Sequence, residues 1–408
     1  MEKFTEKSSA AVTRRKASLA AAQDLLDMSY YKQTLAVHLP KHVFAPNRWR
    51  LLWFAGYTAL AFALFFFILR PLTPWPLKLI CGVMLGTCNA LLAFLVHEIQ
   101  HGSVIRNKRI QDVLGFFGFF PFFITPTFWK YVHNRFHHGK TQRLGEDPDA
   151  YPNLRVFRQS RFMKFMFPFS PGSGHKRSLS YFFFWFSFHN FATQAHLRFK
   201  SGIYDQLEHT KVTYEFAGQI ALALVLLAYA GPSQWLWVLA IPLIVQNYLV
   251  MSYVSTNHNL SPLTKENDPL VNSLTVTNPP LIEFFHFNFG YHVEHHIFPS
   301  VNGKFAKLIH RELIRQFPDS FQFMPKRKAI AALYRTPRIY KNAFEFIHPE
   351  TKVVSAVPAV SARRRALLDE PPAPLKDIRV PTPDTTAPPF HPTPQPIELT
   401  DSGAGVGL

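Results

Sequence analysis

The sequence predicts an all-α membrane protein: four transmembrane helices in two hairpins, with a cytoplasmic helical cap holding a histidine-rich site for two metal ions. Three observations lead there. Four runs are apolar enough to cross a bilayer, basic residues gather outside those runs, and histidines cluster at three places. Composition agrees, since 48% of the 408 residues are hydrophobic and 17% charged, against about 25% charged in an ordinary soluble domain. The 44 Lys and Arg outnumber the 26 Asp and Glu, leaving a formal charge of +18. A disordered chain is excluded, and apolar spans alternating with basic, water-facing segments are expected.

Residues 1–48 read as a polar cytoplasmic arm containing Arg14, Arg15 and Lys16, and this start has no apolar stretch of the kind a cleavable signal needs. Residues 51–69 are uncharged. As a helix rising about 1.5 Å per residue they reach roughly 28 Å, close to a hydrocarbon core of about 30 Å. A second uncharged run covers 79–96, after the linker Arg70-Pro71-Leu72-Thr73-Pro74-Trp75-Pro76, whose prolines predict a turn and nothing longer. Together 49–96 form the first hairpin. Cys81 and Cys88 lie in this second run, roughly 10 Å apart along a helix, so they cannot bridge and read as small apolar residues.

The second hairpin is 215–257: a span over 216–230, the turn Gly231-Pro232-Ser233, and a span over 234–255, less cleanly apolar because of Gln219, Gln246 and Asn247. Two shorter Phe-rich runs, 115–124 and 181–191, cannot span and read as interfacial or partly inserted helices, with burial in the core as the competing reading. Basic residues such as Arg50, Arg106, Lys108, Lys304, Lys307 and Lys326 lie outside the hairpin turns. The positive-inside rule therefore puts the arm, the segment 97–214, the cap 258–345 and both termini on the cytoplasmic side. The charge excess reads as topology and contact with anionic membrane lipids; with no nucleic-acid-binding module in the sequence, nucleic acid is not an expected partner. Residues 346–408, with runs such as Pro371-Pro372-Ala373-Pro374, read as a Pro-rich disordered tail.

The histidines carry the chemistry. His97-Glu98-Ile99-Gln100-His101, His133-Asn134-Arg135-Phe136-His137-His138 and His292-Val293-Glu294-His295-His296 form three clusters, and three such clusters do not arise by chance. On an α-helix, residues three or four apart share a face with Cβ atoms about 5 to 6 Å apart. His97 with His101, His133 with His137, and His292 with His295 or His296 can then each offer two imidazoles to one ion. The doubled His-His step turns the last ring about 100° round the helix, so one cluster can touch two ions. All three clusters fall at one membrane face, and His258, at the end of the fourth span, is a ninth candidate. His189, His196, His209 and His286 lack spacing partners and read as structural or supporting residues.

With these motifs the sequence resembles the integral-membrane fatty acid desaturase and hydroxylase family, whose signature is three histidine boxes of the forms HxxxH, HxxHH or HxxxHH, and HxxHH. The run Phe289-Gly290-Tyr291-His292-Val293-Glu294-His295-His296-Ile297-Phe298-Pro299 is very similar to the third box of acyl-lipid desaturases, and the resemblance covers roughly residues 50 to 315. It implies a four-span helical fold with a cytoplasmic cap, an acyl tunnel, and two non-haem iron ions with O2 as co-substrate. It also implies His97, His101, His133, His137, His138, His292, His295 and His296 as metal ligands, with His258 matching an additional histidine of many members. No His-Pro-Gly-Gly motif of a fused cytochrome b5 domain is present in the sequence. The resemblance thus implies a separate electron donor, of ferredoxin or cytochrome b5 type, acting on a long-chain acyl lipid. Hydroxylation or ketolation of a lipid or carotenoid is the alternative outcome within the family.

Glu98 and Glu294, inside the boxes, are candidates to accept a hydrogen bond from the far nitrogen of a ligand histidine and fix its tautomer, and Asn257 is a third supporting candidate. Asp147 and Asp149, in Glu146-Asp147-Pro148-Asp149, read first as a solvated turn, with the same supporting role for a ligand histidine as the alternative. His97-Glu98-Ile99-Gln100-His101 also satisfies HExxH, in which Glu98 would be the general base of an intramembrane zinc protease. That reading leaves two histidine clusters without a role. A proton-relay transporter would need histidines at mid-membrane, where these clusters do not fall.

Overall fold

The computed structural model describes residues 25–361, and they are mostly helical. Four helices are long and apolar enough to cross a membrane: Arg50–Ile68, Trp75–Gln100, His209–Ala230 and Leu236–His258. The second begins earlier than expected. Trp75 and Pro76, assigned from sequence to a turn, open the helix, because a proline in the first turn lacks only an N–H that would have had no partner within the helix.

The second and fourth spans form the centre of the bundle, and the first packs along the second. Their close approach is written in Gly82 and Gly86, four residues apart. A Cβ at Gly82 would stand 2.8 Å from the Trp237 carbonyl oxygen, and one at Gly86 2.7 Å from that of Pro242. Bare backbone on one helix therefore meets backbone on the other, the small-residue packing that membrane helices use where no hydrophobic effect drives them together. The third span does not run along the fourth. It lies against helix Tyr181–Ala195 and helix Pro126–Trp129 instead, because Tyr181–Ala195 already occupies the fourth span's flank.

The polar residues that interrupt the apolar runs each have partners. Gln246 accepts from Asn89 Nδ2 at 2.8 Å and donates to the Pro121 carbonyl. Asn247 accepts from the Ser187 amide at 2.8 Å and donates to Ser187 Oγ at 3.0 Å. Gln219 donates to the carbonyls of Phe116 and Ile124. These bonds tie the two short Phe-rich segments to the spans. The first segment divides between helix Lys108–Gly118 and a 3-10 turn Phe120–Phe122, with Phe119, Phe122 and Ile124 buried. In the second, Tyr181 and Phe182 are buried while Phe183, Phe188 and Phe191 are exposed.

Beyond the spans, a second core joins Tyr31, Leu35 and Val43 of the N-terminal segment to Val293, Ile297, Ile309 and Leu313, so helix Met28–Ala36 braces the third histidine cluster. Thr275–Thr277 pairs in parallel with Phe323–Pro325. Residues 346–361, expected to belong to the tail, are structured: Tyr340–Asn342, Glu345–Ile347 and Val354–Ala356 form an antiparallel sheet, with Phe346, Val357 and Val360 buried. Average composition over the tail concealed this short β-prone stretch, which precedes the dense prolines. Residues 362–408, with the Pro-rich runs, lie outside the described residues.

Candidate metal centre

Four parts of the fold converge on one place. His97 is in the last turn of the second span and His101 is its C-cap. The second cluster lies on Lys130–His137 and the short helix that follows, and the third on helix His292–Ile297. His258 ends the fourth span. The nine histidines fall into two groups, His97, His101, His133, His138 and His295, and His137, His258, His292 and His296. Within each group the potential ligand atoms all lie within 4.8 Å of one another.

The second cluster pairs differently from the α-helical expectation. Lys130–His137 is a π-helix, in which a turn holds an extra residue and the repeat runs from i to i+5. His133 therefore joins His138, with their Nε2 atoms 3.1 Å apart, while His137 turns to the other group. The sequence left His295 and His296 open as partners of His292; the structure puts His296 with it, Nε2 to Nε2 at 3.1 Å, and sends His295 to the first group beside His138 at 3.1 Å.

These separations fit two metal ions. Two nitrogens each about 2.1 Å from one ion, at right angles, stand about 3.0 Å apart. His97 Nε2 to His133 Nε2 is 3.0 Å, and His258 Nε2 to His292 Nε2 is 2.6 Å. Several far nitrogens are held elsewhere: His137 Nδ1 lies 3.4 Å from Asp147 Oδ1 and 3.2 Å from Asp149 Oδ2, and His296 Nδ1 3.4 Å from Thr141 Oγ1. Such partners fix the tautomer and leave Nε2 free to bind. His101 Nε2 is buried with no hydrogen-bond partner, as expected of an atom that an ion would satisfy.

Burial sets the protonation. It holds the His101 imidazole down at about 3, with the nearby charge of His137 acting the same way. Burial first, then neighbouring histidines, pushes His133, His138, His292, His295 and His296 well below the usual range. Neutral imidazole is the form that binds metal. His137 is the exception: burial lowers it, but the charge and hydrogen bond of Asp147, with Asp149, outweigh burial and raise it. Asp149 is pushed up to about 6 by burial, against the pull of His137. The solvated-turn reading is thus corrected for Asp147 in favour of the supporting alternative, while the Asp149 side chain stays 34% exposed. Asp147 is buried, accepts from the amides of Gln142 and Asp149, and supports His137.

The glutamates are placed differently from expectation. Glu98 pairs with Arg50 Nε at 3.3 Å and accepts from Asn302 Nδ2 and the Gly303 amide, both at 3.0 Å. It contacts no box histidine in these bonds, because one residue along an α-helix turns about 100° away from its neighbour. Held this way it is also not poised as a protease base. Glu294 meets His310 Nδ1 at 2.5 Å and accepts from Thr275 Oγ1 at 2.5 Å. Asn257 is buried and both its side-chain polar atoms lack partners. None of His189, His196, His209 and His286 belongs to either group; His286 Nδ1 meets Tyr253 OH at 2.7 Å.

Sequence reasoning did not single out Trp129, which stacks on His133 with ring centroids 4.3 Å apart, nor Arg50 and His310 as partners of the box glutamates. Trp129 lies four residues before His133 on the same helical stretch, a spacing that could have marked it, whereas Arg50 and His310 meet their partners only through the tertiary fold. A cavity of about 130 Å³ reaches residues of both groups, with walls that include Phe128, Trp185, Val250, Met251, Val254 and Phe289. Apolar walls ending at metal-binding groups suit a hydrocarbon chain.

Known proteins agree with this site. The family described as fatty acid desaturase matches residues 73–327, well over half of the chain. The chain is 24% identical over 351 residues to the chloroplastic omega-6 fatty acid desaturase of Spinacia oleracea, covering 81% of this chain and 74% of that one. It is 29% identical over 137 residues to the sn-1 oleoyl-lipid 12-desaturase of Anabaena variabilis, 31% of this chain and 38% of that one. With the sn-1 acyl-lipid omega-3 desaturase (ferredoxin) of Nostoc sp. (strain 36) it shares 24% over 131 residues, 32% of this chain and 36% of that one. The Anabaena and Nostoc matches thus span well under half of those relatives. With its membrane helices and histidine clusters, the chain belongs to the fatty acid desaturase family and is an oxidoreductase of that family.

Proposed function

We propose that this protein introduces a double bond into a long acyl chain of a membrane lipid, using O2 and electrons from a separate donor. The observation that carries the reading is the meeting of two histidine groups with one apolar cavity. His97, His101, His133, His138 and His295 would hold one non-haem iron ion, and His137, His258, His292 and His296 the other. The ions, when bound, supply the redox chemistry with O2 that removal of hydrogen from an unactivated methylene requires, which zinc lacks. The protein's part is geometric and electrostatic. Phe128, Val250, Met251 and Phe289 would lie along the chain and keep water from it, while burial keeps imidazoles such as His133, His138, His292, His295 and His296 neutral. Asp147 and Asp149 hold the His137 ring through Nδ1.

The names of the Anabaena and Nostoc relatives support an acyl lipid as substrate and a ferredoxin-type donor. The distribution of Lys and Arg supports a cytoplasmic histidine face. The test is metal content and lipid profile together. The full chain purified in mild detergent is expected to carry about two iron ions, and cells expressing it to gain acyl chains with one more double bond. One zinc with little iron, or an unchanged lipid profile from an iron-loaded protein, would overturn the assignment.

A further inference from the structure

Away from the histidines, a recess of about 330 Å³ opens where the first span emerges, lined by Arg50, Trp53, Phe284, Lys304 and Lys307 among others. Its composition is divided. Trp53, one turn inside the span, meets Phe284 edge to face with centroids 5.5 Å apart, and Leu281 and Phe285 beside Phe284 are exposed. The other side is cationic: Lys304 and Lys307 share a face, both exposed, and Arg50, buried and paired with Glu98, lines the recess at the start of the span. Among the described residues no carboxylate lines the recess. Trp49, at its rim, is 78% exposed, as an indole at the headgroup level of a bilayer would be before lipid covers it.

We propose that this recess binds an anionic phospholipid, with Arg50, Lys304 and Lys307 around the phosphate and an acyl chain against Trp53 and Phe284. Charge complementarity selects the phosphate, and the apolar half selects a lipid over a soluble acidic protein, which would leave Trp53, Leu281 and Phe285 uncovered. The recess and the apolar histidine cavity share no lining residue, a smaller cavity lined by His97, His292 and Asn288 lies between them, and the recess is assigned to a second lipid. Arg50 also pairs with Glu98, the residue after His97, so the bound lipid adjoins the contacts that hold the end of the second span.

The test is native mass spectrometry of the full chain in detergent, titrated with phosphatidylglycerol, phosphatidylcholine or inorganic phosphate. The wild type is expected to bind phosphatidylglycerol at least tenfold more tightly than phosphatidylcholine. The double variant Lys304→Gln, Lys307→Gln, with unchanged melting, is expected to bind it about thirtyfold more weakly, from roughly fivefold per basic residue at a charged membrane surface. Lys304→Arg with Lys307→Arg should retain it. Equal binding of the two lipids, equal binding by the Gln double variant, or inorganic phosphate binding as tightly as the lipid would each overturn the proposal. So would an acidic soluble electron carrier that binds through these lysines while lipid binding stays unchanged.

Discussion

Replacing Asp147 with asparagine removes the charge beneath His137 and one acceptor oxygen at nearly constant side-chain size. The Asp147 carboxylate faces His137 Nδ1 at 3.4 Å and accepts the Gln142 amide at 2.7 Å. An asparagine oxygen can keep the Gln142 bond, but its NH2 then faces His137 Nδ1 and the Asp149 amide, donor against donor. His137 is also the one histidine of the two groups whose burial is outweighed by nearby carboxylates, so the loss falls on a single ligand. Partners of this kind are worth about 10- to 100-fold in metal affinity, or about 1.4 to 2.7 kcal/mol. The expected result is that Asp147→Asn loses metal to a chelator at about one-tenth or less of the wild-type chelator concentration, with the loss confined to one of two ions. Metal content after graded chelator dialysis measures this, and melting of the metal-free proteins checks that the turn survives. Asp149→Asn, at 3.2 Å from the same nitrogen, should weaken binding in the same direction. Metal retention within twofold of wild type in both single variants and in the double variant would refute the claim that these carboxylates support His137.

Three further outcomes are expected. Gly86→Val puts a side chain 2.7 Å from the Pro242 carbonyl oxygen, where only backbone movement can relieve it, and should cost about 1 to 3 kcal/mol, read as a lower melting temperature in detergent; an unchanged melt would mean the spans do not meet there. Asn247→Leu removes both bonds to Ser187 and should cost about 1 kcal/mol, while Ser187→Ala in the same background should cost little more, a coupling that a double-mutant cycle measures. Burial pushes the His189 imidazole in the apolar cavity down to about 4. Its unfolded counterpart titrates near 6.5, so between pH 7 and pH 5 the unfolded state takes up the proton first and stability falls by about 2 kcal/mol. In His189→Gln that part of the acid loss should vanish, and equal acid sensitivity of variant and wild type in thermal melts would exclude it.

Several features needed no coordinates. The four spans and the three histidine clusters follow from apolar runs long enough for a bilayer and from histidines three to five residues apart, both local properties, while His258 was marked only by its place at the end of the fourth span and by the family resemblance. Boundaries were less legible. Trp75 and Pro76 join the second span because helix starts tolerate proline, and the sheet through Phe346 and Val354 was masked by the prolines that follow it.

What sequence spacing could not assign was which histidines stand together in each group. The π-helix at Lys130–His137 moves His137 away from the group of His133, and α-helical spacing has no means of showing it. The supporting residues were hidden for a related reason. Glu98 turns to Arg50 and Asn302, Glu294 to His310, and His137 finds Asp147 across a turn. The capacity to bind metal is a property of the side chain and its near neighbours, so the sequence alone marked the candidate histidines. The orientation of each ring depends on hydrogen bonds between segments far apart in the chain, and only the packed fold brings those segments together.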